Sequence, residues 1–301
     1  MRFNLIGSFE IVDDHGAIHS PGTPKVCQTL AVLLTRPGKI AGFDTLIQEL
    51  WGDRPPRTAA TALQTYIYYA RKMLVEKGLA TADRSPLTTH PQGYMFEVDE
   101  DRIDVKVFER LVAQGRSELD RGNAEEAIGL LCSALDLWRG PALASIRAGR
   151  VLRGRITHLE ELRIRAHELR IEALIHLGRH REAIPELGEL VTLHPLNEWF
   201  HGHLIDALYQ AGRRAEALQA YQGLRRILRE ELGVDPSSEV QDLYQRLLNT
   251  DPPRVLTDHM RVPRAAVPPG TKAVCRPPSP AGVAPPARRR PVKVPNAAAA
   301  Y

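Results

Sequence analysis

The first hundred residues combine strand-like and helix-like patterns of apolar and polar positions. Alternation over residues 2–12 predicts a small antiparallel sheet. Helical spacing of the apolar residues follows over residues 24–34 and begins again at Phe43. A longer helix is predicted from Arg57 to Lys77, and a hairpin with a Gly-Tyr-Met-Phe strand comes after it.

The third predicted helix has two different faces. At ~100° per residue, Leu63, Ile67, Ala70 and Leu74 form a narrow apolar stripe. The other side is polar and aromatic, with two adjacent tyrosines, which is unusual for an inert solvated surface. Its residues are Thr58, Thr61, Thr65, Tyr68, Tyr69 and Lys72, flanked by Arg57 and Arg71. An alternative for Tyr68 or Tyr69 alone is packing against the hairpin.

The order helix, tight turn, exposed helix and hairpin is typical of a winged helix-turn-helix. A helix of this kind lies in the DNA major groove, where its threonines contact base edges or thymine methyls. Tyr68, Arg71 and Lys72 are expected to bind phosphates. The hairpin would be the wing, with Thr88, Thr89, His90 and Tyr94 as its DNA-contacting residues.

Residues 104–250 are predicted to be all helical with an internal repeat. A Gly-x-x-x-Glu-Ala-aliphatic core occurs at Gly122, Gly178 and Gly212, and the second and third copies are 34 residues apart. That period is typical of tetratricopeptide-like repeats, whose usual role is protein contact. An insertion separates the first copy from the second.

The charge of the chain is unevenly distributed. From Pro252 to Tyr301 there are nine Lys/Arg and one Asp, together with 12 of the 23 prolines, which predicts a disordered tail. The preceding 251 residues then carry 31 basic and 35 acidic side chains. The pI of about 9.0 therefore reflects the tail and is no evidence that the folded part binds nucleic acid.

Other function classes find little support in the sequence. There is no Gly-x-Ser-x-Gly, Cys-His dyad, phosphate loop or metal-ligand spacing, so no enzyme activity, cofactor or metal is expected. The three separated cysteines are typical of free thiols in a reducing cytoplasm. The predicted fold is mostly α with a small β component. A winged helix-turn-helix (residues 1–100) precedes an all-α tetratricopeptide-like domain (104–250) and a disordered tail (251–301).

Two sets of motifs resemble known families. Tyr66-Ile-Tyr-Tyr-Ala-Arg71 and Gly93-Tyr94 are similar to the DNA-binding domain of OmpR-type response regulators. His194-Pro-Leu-Asn-Glu198, Ala207-Leu-Tyr-Gln-Ala-Gly-Arg213 and Leu232-Gly-Val-Asp-Pro236-Ser-Ser-Glu239 resemble the bacterial transcriptional activation domain. Together they resemble the Streptomyces antibiotic regulatory protein (SARP) family over residues 1–250.

This resemblance implies an activator of a secondary-metabolite (antibiotic) gene cluster. It implies binding to direct repeats near promoters as a tandem dimer and recruitment of RNA polymerase with its sigma factor. The exposed loop with Asp53 and Arg54 would touch sigma factor, the alternative being a simple connector. Alternatives for the whole chain are an interaction scaffold without a DNA role and a repressor.

Overall fold

The structure is a computed structural model that describes residues 1–20, 22–81 and 85–249. The predicted tail at 251–301, including Cys275, lies outside the described residues. Among the described helices, none is both long enough and apolar enough to cross a membrane.

The N-terminal half contains two small sheets around three helices. The first sheet has antiparallel strands in the order β1-β2-β3, and the second has the order β4-β6-β5. In chain order the elements are β1 (Arg2–Asn4), β2 (Glu10–Val12), β3 (Ile18–His19), α1 (Pro24–Leu34), β4 (Ala41–Gly42), α2 (Phe43–Trp51), α3 (Ala59–Glu76), β5 (Leu87–His90) and β6 (Gly93–Phe96). The predicted winged helix-turn-helix is confirmed, and α1 has its predicted bounds.

Helix α3 begins later than the pattern suggested. Arg57 and Thr58 stand outside it, and the Ala59 amide donates a turn hydrogen bond to the Pro56 carbonyl at 2.9 Å. Thr58 has φ −93° and ψ 14°, outside the helical range. The turn after the two prolines therefore delays the first helical residue.

The C-terminal half is helical throughout its regular elements. A short 3₁₀ turn at Glu100–Arg102 leads into α4 (Asp104–Asp120), α5 (Ala124–Leu135), α6 (Arg150–His176), α7 (His180–Leu193), α8 (Glu198–Gln210), α9 (Arg214–Leu232) and α10 (Ser238–Asn249). The insertion that separates the repeats is a loop over residues 136–149 together with the long α6.

The glycines and alanines of the repeat end helices and allow close helix packing. Gly122, Gly178 and Gly212 follow helices α4, α6 and α8 with φ of +84°, +71° and +81°, where a side chain would be strained. The alanines of the three copies, Ala127, Ala183 and Ala217, are fully buried, so the paired helices approach closely.

One of the three hydrophobic cores among the described residues joins the two halves. It extends from Phe3 in β1 to Ala173 in α6. The rings of Phe3 and Phe96 meet edge to face at 5.3 Å, and those of Phe108 and Trp138 at 5.4 Å. The helical half is therefore a packing partner of the winged helix and sets its orientation.

Two buried carboxylates reinforce this junction. Asp104, at the start of α4, accepts hydrogen bonds from the backbone amides of Leu5 and Ile6 at 2.7 and 2.9 Å. Burial raises the pKa of this carboxyl, while the two amides and Arg139 oppose the rise. Glu49, in α2, accepts hydrogen bonds from Gly149, Val151 and Leu152 at the start of α6.

Candidate nucleic-acid interface

Helix α3 is anchored by one narrow face. Leu63, Ile67, Ala70 and Leu74 are all buried, as the helical spacing predicted. The opposite face is open to solvent over most of the helix length. The anchoring stripe fixes the rotation of α3 and so decides which side chains point outward.

The threonines at the start of α3 and within it lie on this outward face. Thr58, Thr61 and Thr65 are exposed. The Thr65 hydroxyl donates to the Thr61 carbonyl at 3.0 Å, so its proton is engaged while its oxygen still accepts. The methyl groups of Thr61 and Thr65 remain available for apolar contact.

Tyr68 and Tyr69 form an exposed aromatic pair. Their side chains are 61% and 49% exposed, and their rings lie 5.6 Å apart with a tilt of 59°. Neither ring is buried against the hairpin, the alternative considered for them. Aromatic rings kept at a solvent-exposed site supply flat contact area with a polar hydroxyl at the tip.

The cations of this face are weakly engaged. Lys72 Nζ lies 3.7 Å from Glu76 Oε1, and the two side chains are 53% and 60% exposed. Exposed pairs of this kind contribute only about 0–1 kcal/mol, so a phosphate can replace the carboxylate. Arg57 is exposed and forms no ion pair with another described residue.

Gln64 belongs to the same surface although the sequence-based prediction omitted it. It is exposed and lies three residues after Thr61 and four before Tyr68 on α3. Residues three and four apart share one helix face, so the spacing rule itself identifies this side chain. Glutamine can bind adenine through two hydrogen bonds in the major groove.

Arg71 is engaged within the domain, where the sequence-based prediction had assigned it to a phosphate. Its Nε and Nη2 donate to the Leu87 carbonyl at 3.0 and 2.9 Å, and Nη2 also donates to Thr89 Oγ1 at 2.8 Å. Position 71 lies at the edge of α3 that faces the hairpin. The guanidinium therefore fixes the hairpin relative to the outward face of α3.

Arg71→Ala is expected to lower the free energy of unfolding by about 1–2 kcal/mol, because the Leu87 carbonyl loses a charge-assisted partner. Hydrogen exchange should accelerate at the β5 and β6 amides more than at those of α3. Arg71→Lys retains one donor and should recover part of the loss. Unchanged hairpin exchange in the alanine variant would contradict this role.

The hairpin side chains divide between two faces. Thr88 and His90 lie together, with Thr88 Oγ1 3.1 Å from His90 Nε2, and Thr88 also donates to Glu97 Oε1 at 3.3 Å. Thr89 lies on the other face, toward Arg71 and α3. Only Thr89 is thus placed beside the outward surface of α3.

The prediction that Tyr94 contacts DNA is wrong. Its side chain is 5% exposed and packs edge to face on Phe43 at 5.5 Å. Tyr94 and Phe96 lie on the same face of β6 and are both buried, whereas Met95 between them is half-buried. The tyrosine therefore belongs to the core, where Phe43 is its partner.

The loop between α2 and α3 begins after Trp51, whose ring is held by two contacts. Trp51 stacks on Tyr66 at 6.1 Å, and Lys25 Nζ lies 5.7 Å from the Trp51 ring centre. Asp53 and Arg54 follow on the exposed loop and have no ion partner within the described part of the chain. Both charges are therefore free to meet another molecule.

Family models match both halves of the chain. The model described as "Transcriptional regulatory protein, C terminal" matches residues 20–96, and the bacterial transcriptional activator domain matches residues 103–248. Regulatory protein DnrI of Streptomyces peucetius is 36% identical over 256 residues, which are 84% of this chain and 93% of DnrI. The chain belongs to the SARP family. This membership makes it a transcriptional regulator.

Other SARP-like regulators extend beyond the shared region. Regulatory protein AfsR of Streptomyces coelicolor is 36% identical over 84% of this chain, but that match covers 24% of AfsR. A solved structure of Mycobacterium tuberculosis EmbR, in complex with a low affinity phosphopeptide, has a TM-score of 0.75 and 32% identity. It covers 82% of this chain and 64% of EmbR. The shared fold thus contains both halves of the described structure.

Proposed function

We propose that this SARP-family protein is a sequence-specific DNA-binding transcriptional activator of a secondary-metabolite gene cluster. The outward face of α3 carries the proposal, because it exposes hydroxyl, amide, aromatic and cationic groups on a helix held rigidly from behind. No catalytic step, metal or cofactor is needed for this function. The protein would act in the cytoplasm on promoter DNA.

The face divides into base-reading and phosphate-binding groups. Thr61, Gln64 and Thr65 lie in the N-terminal half of α3, where their hydroxyl, amide and methyl groups would match the edges of bases in the major groove. Arg57 lies just before α3 and Lys72 lies four residues before its end, so these cations would meet the two phosphate backbones. Tyr68 and Tyr69 would contact phosphates or sugars, as would Thr89 on the adjacent hairpin.

Charge balance favours binding in pairs. The first 251 residues carry 31 basic and 35 acidic side chains, so a single protomer gains little from long-range attraction to DNA. Two protomers in tandem on direct repeats about 10–10.5 bp apart would occupy one face of the duplex and share contacts. We therefore expect cooperative binding to repeats and weak binding to a single copy.

Polymerase recruitment would use surfaces other than the outward face of α3. The loop with Asp53 and Arg54 is exposed beside the DNA-facing helix and is proposed to contact sigma factor. The helical repeats supply further surface for polymerase and for the neighbouring protomer. An activator needs this second contact, since binding to DNA alone only occupies the site.

The full chain is expected to protect in-phase repeats in a promoter footprint. The double variant Thr61→Ala, Lys72→Ala should bind about 10- to 100-fold more weakly, because a base contact and a phosphate contact are both lost. Its salt dependence should have a slope smaller by about one unit for the lost phosphate. Arg116→Ala, on α4 with a side chain 65% exposed, is the matched control and should bind normally.

Transcription in vitro separates activation from the alternatives. An activator increases transcripts from a promoter whose repeats it protects, and Asp53→Ala, Arg54→Ala should reduce that increase without reducing protection. Protection with fewer transcripts would identify a repressor. Absence of protection on every promoter fragment, with the double variant behaving like the parent, would leave only a scaffold role.

A further inference from the structure

A small polar cavity lies where the winged helix meets the helical half. Its volume is about 190 Å³, and it is lined by Thr35, Arg36, Pro37, Lys39, Glu100, Lys106 and Arg155. The lining comes from the segment after α1, the 3₁₀ turn, α4 and α6. Both halves of the protein thus contribute cations to one partly open cavity.

A tight turn brings two of these cations together. The Lys39 amide donates to the Arg36 carbonyl at 3.2 Å, and Gly38 between them has φ +66°. Proline at the second position and glycine with positive φ at the third are typical of a type II turn, whose ends lie within ~7 Å. Arg36 and Lys39 are exposed, and neither side chain pairs with a carboxylate in the described ranges.

The other two cations share a single carboxylate. Lys106 Nζ lies 3.0 Å from Glu109 Oε2, and Arg155 Nη2 is hydrogen-bonded to Glu109 Oε1. The Lys106 and Arg155 side chains are only 20% and 22% exposed. The buried Nε of Arg155 has no hydrogen-bond partner among the described residues. That Nε is not accessible to solvent, but the other N–H groups of Arg155 and Lys106 can donate to an anion in the cavity.

The charges around the cavity do not balance. Four cations face the carboxylates of Glu100 and Glu109, so the local sum is positive by two. The burial of Lys106 and Arg155 lowers the local dielectric constant and strengthens the attraction of these two cations for an anion. The negative charge of Glu100 opposes that attraction, so removing this charge should strengthen anion binding.

We propose that this cavity binds a small phosphate-type anion, either inorganic phosphate or the phosphate group of a compact metabolite. A volume of about 190 Å³ is several times the ~30 Å³ of a water molecule but below the ~300–1,000 Å³ typical of larger ligands. The size therefore selects a compact polyanion over a nucleotide.

The cavity is separate from the proposed DNA surface. The Gly38 amide bonds to the Phe96 carbonyl at 2.9 Å, at the end of β6 away from the hairpin turn. An anion here would contact both halves of the protein and stabilise their junction. Its binding can consequently be measured on the full chain without DNA.

The test is calorimetric titration of the full chain with inorganic phosphate and with pyrophosphate, using chloride at matched ionic strength as the reference. Saturable binding to one site is expected, with a parallel rise in Tm. Arg36→Gln, Lys39→Gln should weaken it about tenfold or more. Glu100→Gln should strengthen it roughly threefold.

Arg116→Gln on the exposed side of α4 removes a cation of similar charge elsewhere and should leave binding unchanged. Phosphate and pyrophosphate differ in length and charge. The anion that binds more tightly therefore shows which size of phosphate group fits the cavity. Absence of saturable binding would overturn the proposal. Equal binding by the parent and the Arg36, Lys39 double variant, or opposite behaviour of Glu100→Gln, would overturn it as well.

Discussion

Glu49→Ala is expected to lower the free energy of unfolding by about 3–5 kcal/mol, the largest loss from any single carboxylate considered above. The side chain is 2% exposed. Oε2 accepts from the amides of Val151 and Leu152 at 2.8 and 3.1 Å, and Oε1 accepts from Gly149 at 2.5 Å. The variant would leave these amides without an acceptor at a buried helix start.

The loss should also change how the protein unfolds. Glu49 belongs to α2 of the winged helix, whereas its amide partners begin α6 of the helical half. Its negative charge also favours the positive end of the α6 dipole. Without it, the two halves should unfold at separate denaturant concentrations. Tryptophan fluorescence and circular dichroism, coincident in the parent, would then give different midpoints.

Two further variants test whether the lost hydrogen bonds and charge of Glu49 cause the loss of stability. Glu49→Gln keeps the volume but loses the charge and one acceptor, so about half of the loss is expected. Glu189→Ala, at an exposed position in α7, should change stability by no more than about 0.5 kcal/mol. A loss below about 1 kcal/mol in Glu49→Ala would show that the apolar core alone holds the junction.

Gly93→Ala is expected to lower the free energy of unfolding by about 2–4 kcal/mol through overpacking. A Cβ atom at Gly93 would lie 2.0 Å from the Ala41 carbonyl oxygen and 2.8 Å from its carbonyl carbon. Both are backbone atoms of β4, so no rotation of a side chain relieves the overlap. Strand β4 would have to separate from β6 at the Gly42 and Gly93 pair.

DNA binding should decline with stability in this variant. Helix α2 starts at Phe43, directly after β4, and Phe43 packs on Tyr94 of β6. Displacing β4 therefore shifts the frame that supports α3 and the hairpin. Denaturation and promoter footprinting measure the two effects on the same preparation.

Gly154→Ala is the matched control for this substitution. A Cβ atom at Gly154 meets nothing within 4 Å, and the residue is inside α6. Alanine forms helices better than glycine, so the free energy of unfolding is expected to rise by up to about 1 kcal/mol. If Gly93→Ala were as stable as the parent, the close approach of β4 and β6 would not be a constraint on this sequence.

Local periodicity was sufficient to predict burial and turns wherever the residues that determine them are close in sequence. The stripe Leu63, Ile67, Ala70 and Leu74 follows the helical period and is buried as predicted. The repeat glycines after α4, α6 and α8 mark turns that require positive φ. These features depend on backbone conformation within a few residues, so composition and spacing contain the necessary information.

Long-range partners account for what the sequence could not predict. Arg71 and Tyr94 both had the residue type expected at a DNA surface. The structure instead engages Arg71 with Leu87 and Thr89, and it packs Tyr94 on Phe43. The residue type gives a side chain its chemistry. The neighbouring element decides whether that side chain is exposed to solvent or buried in the core.

The sequence by itself determined the order of elements, the outward composition of α3 and the helical repeat. Only the tertiary structure decided that the two halves share one core and that Glu49 joins α2 to the start of α6, about 100 residues later. The same packing created the cationic cavity at their junction. The physical reason is that such contacts arise from packing between distant segments, whereas periodicity describes only which face of one segment becomes buried.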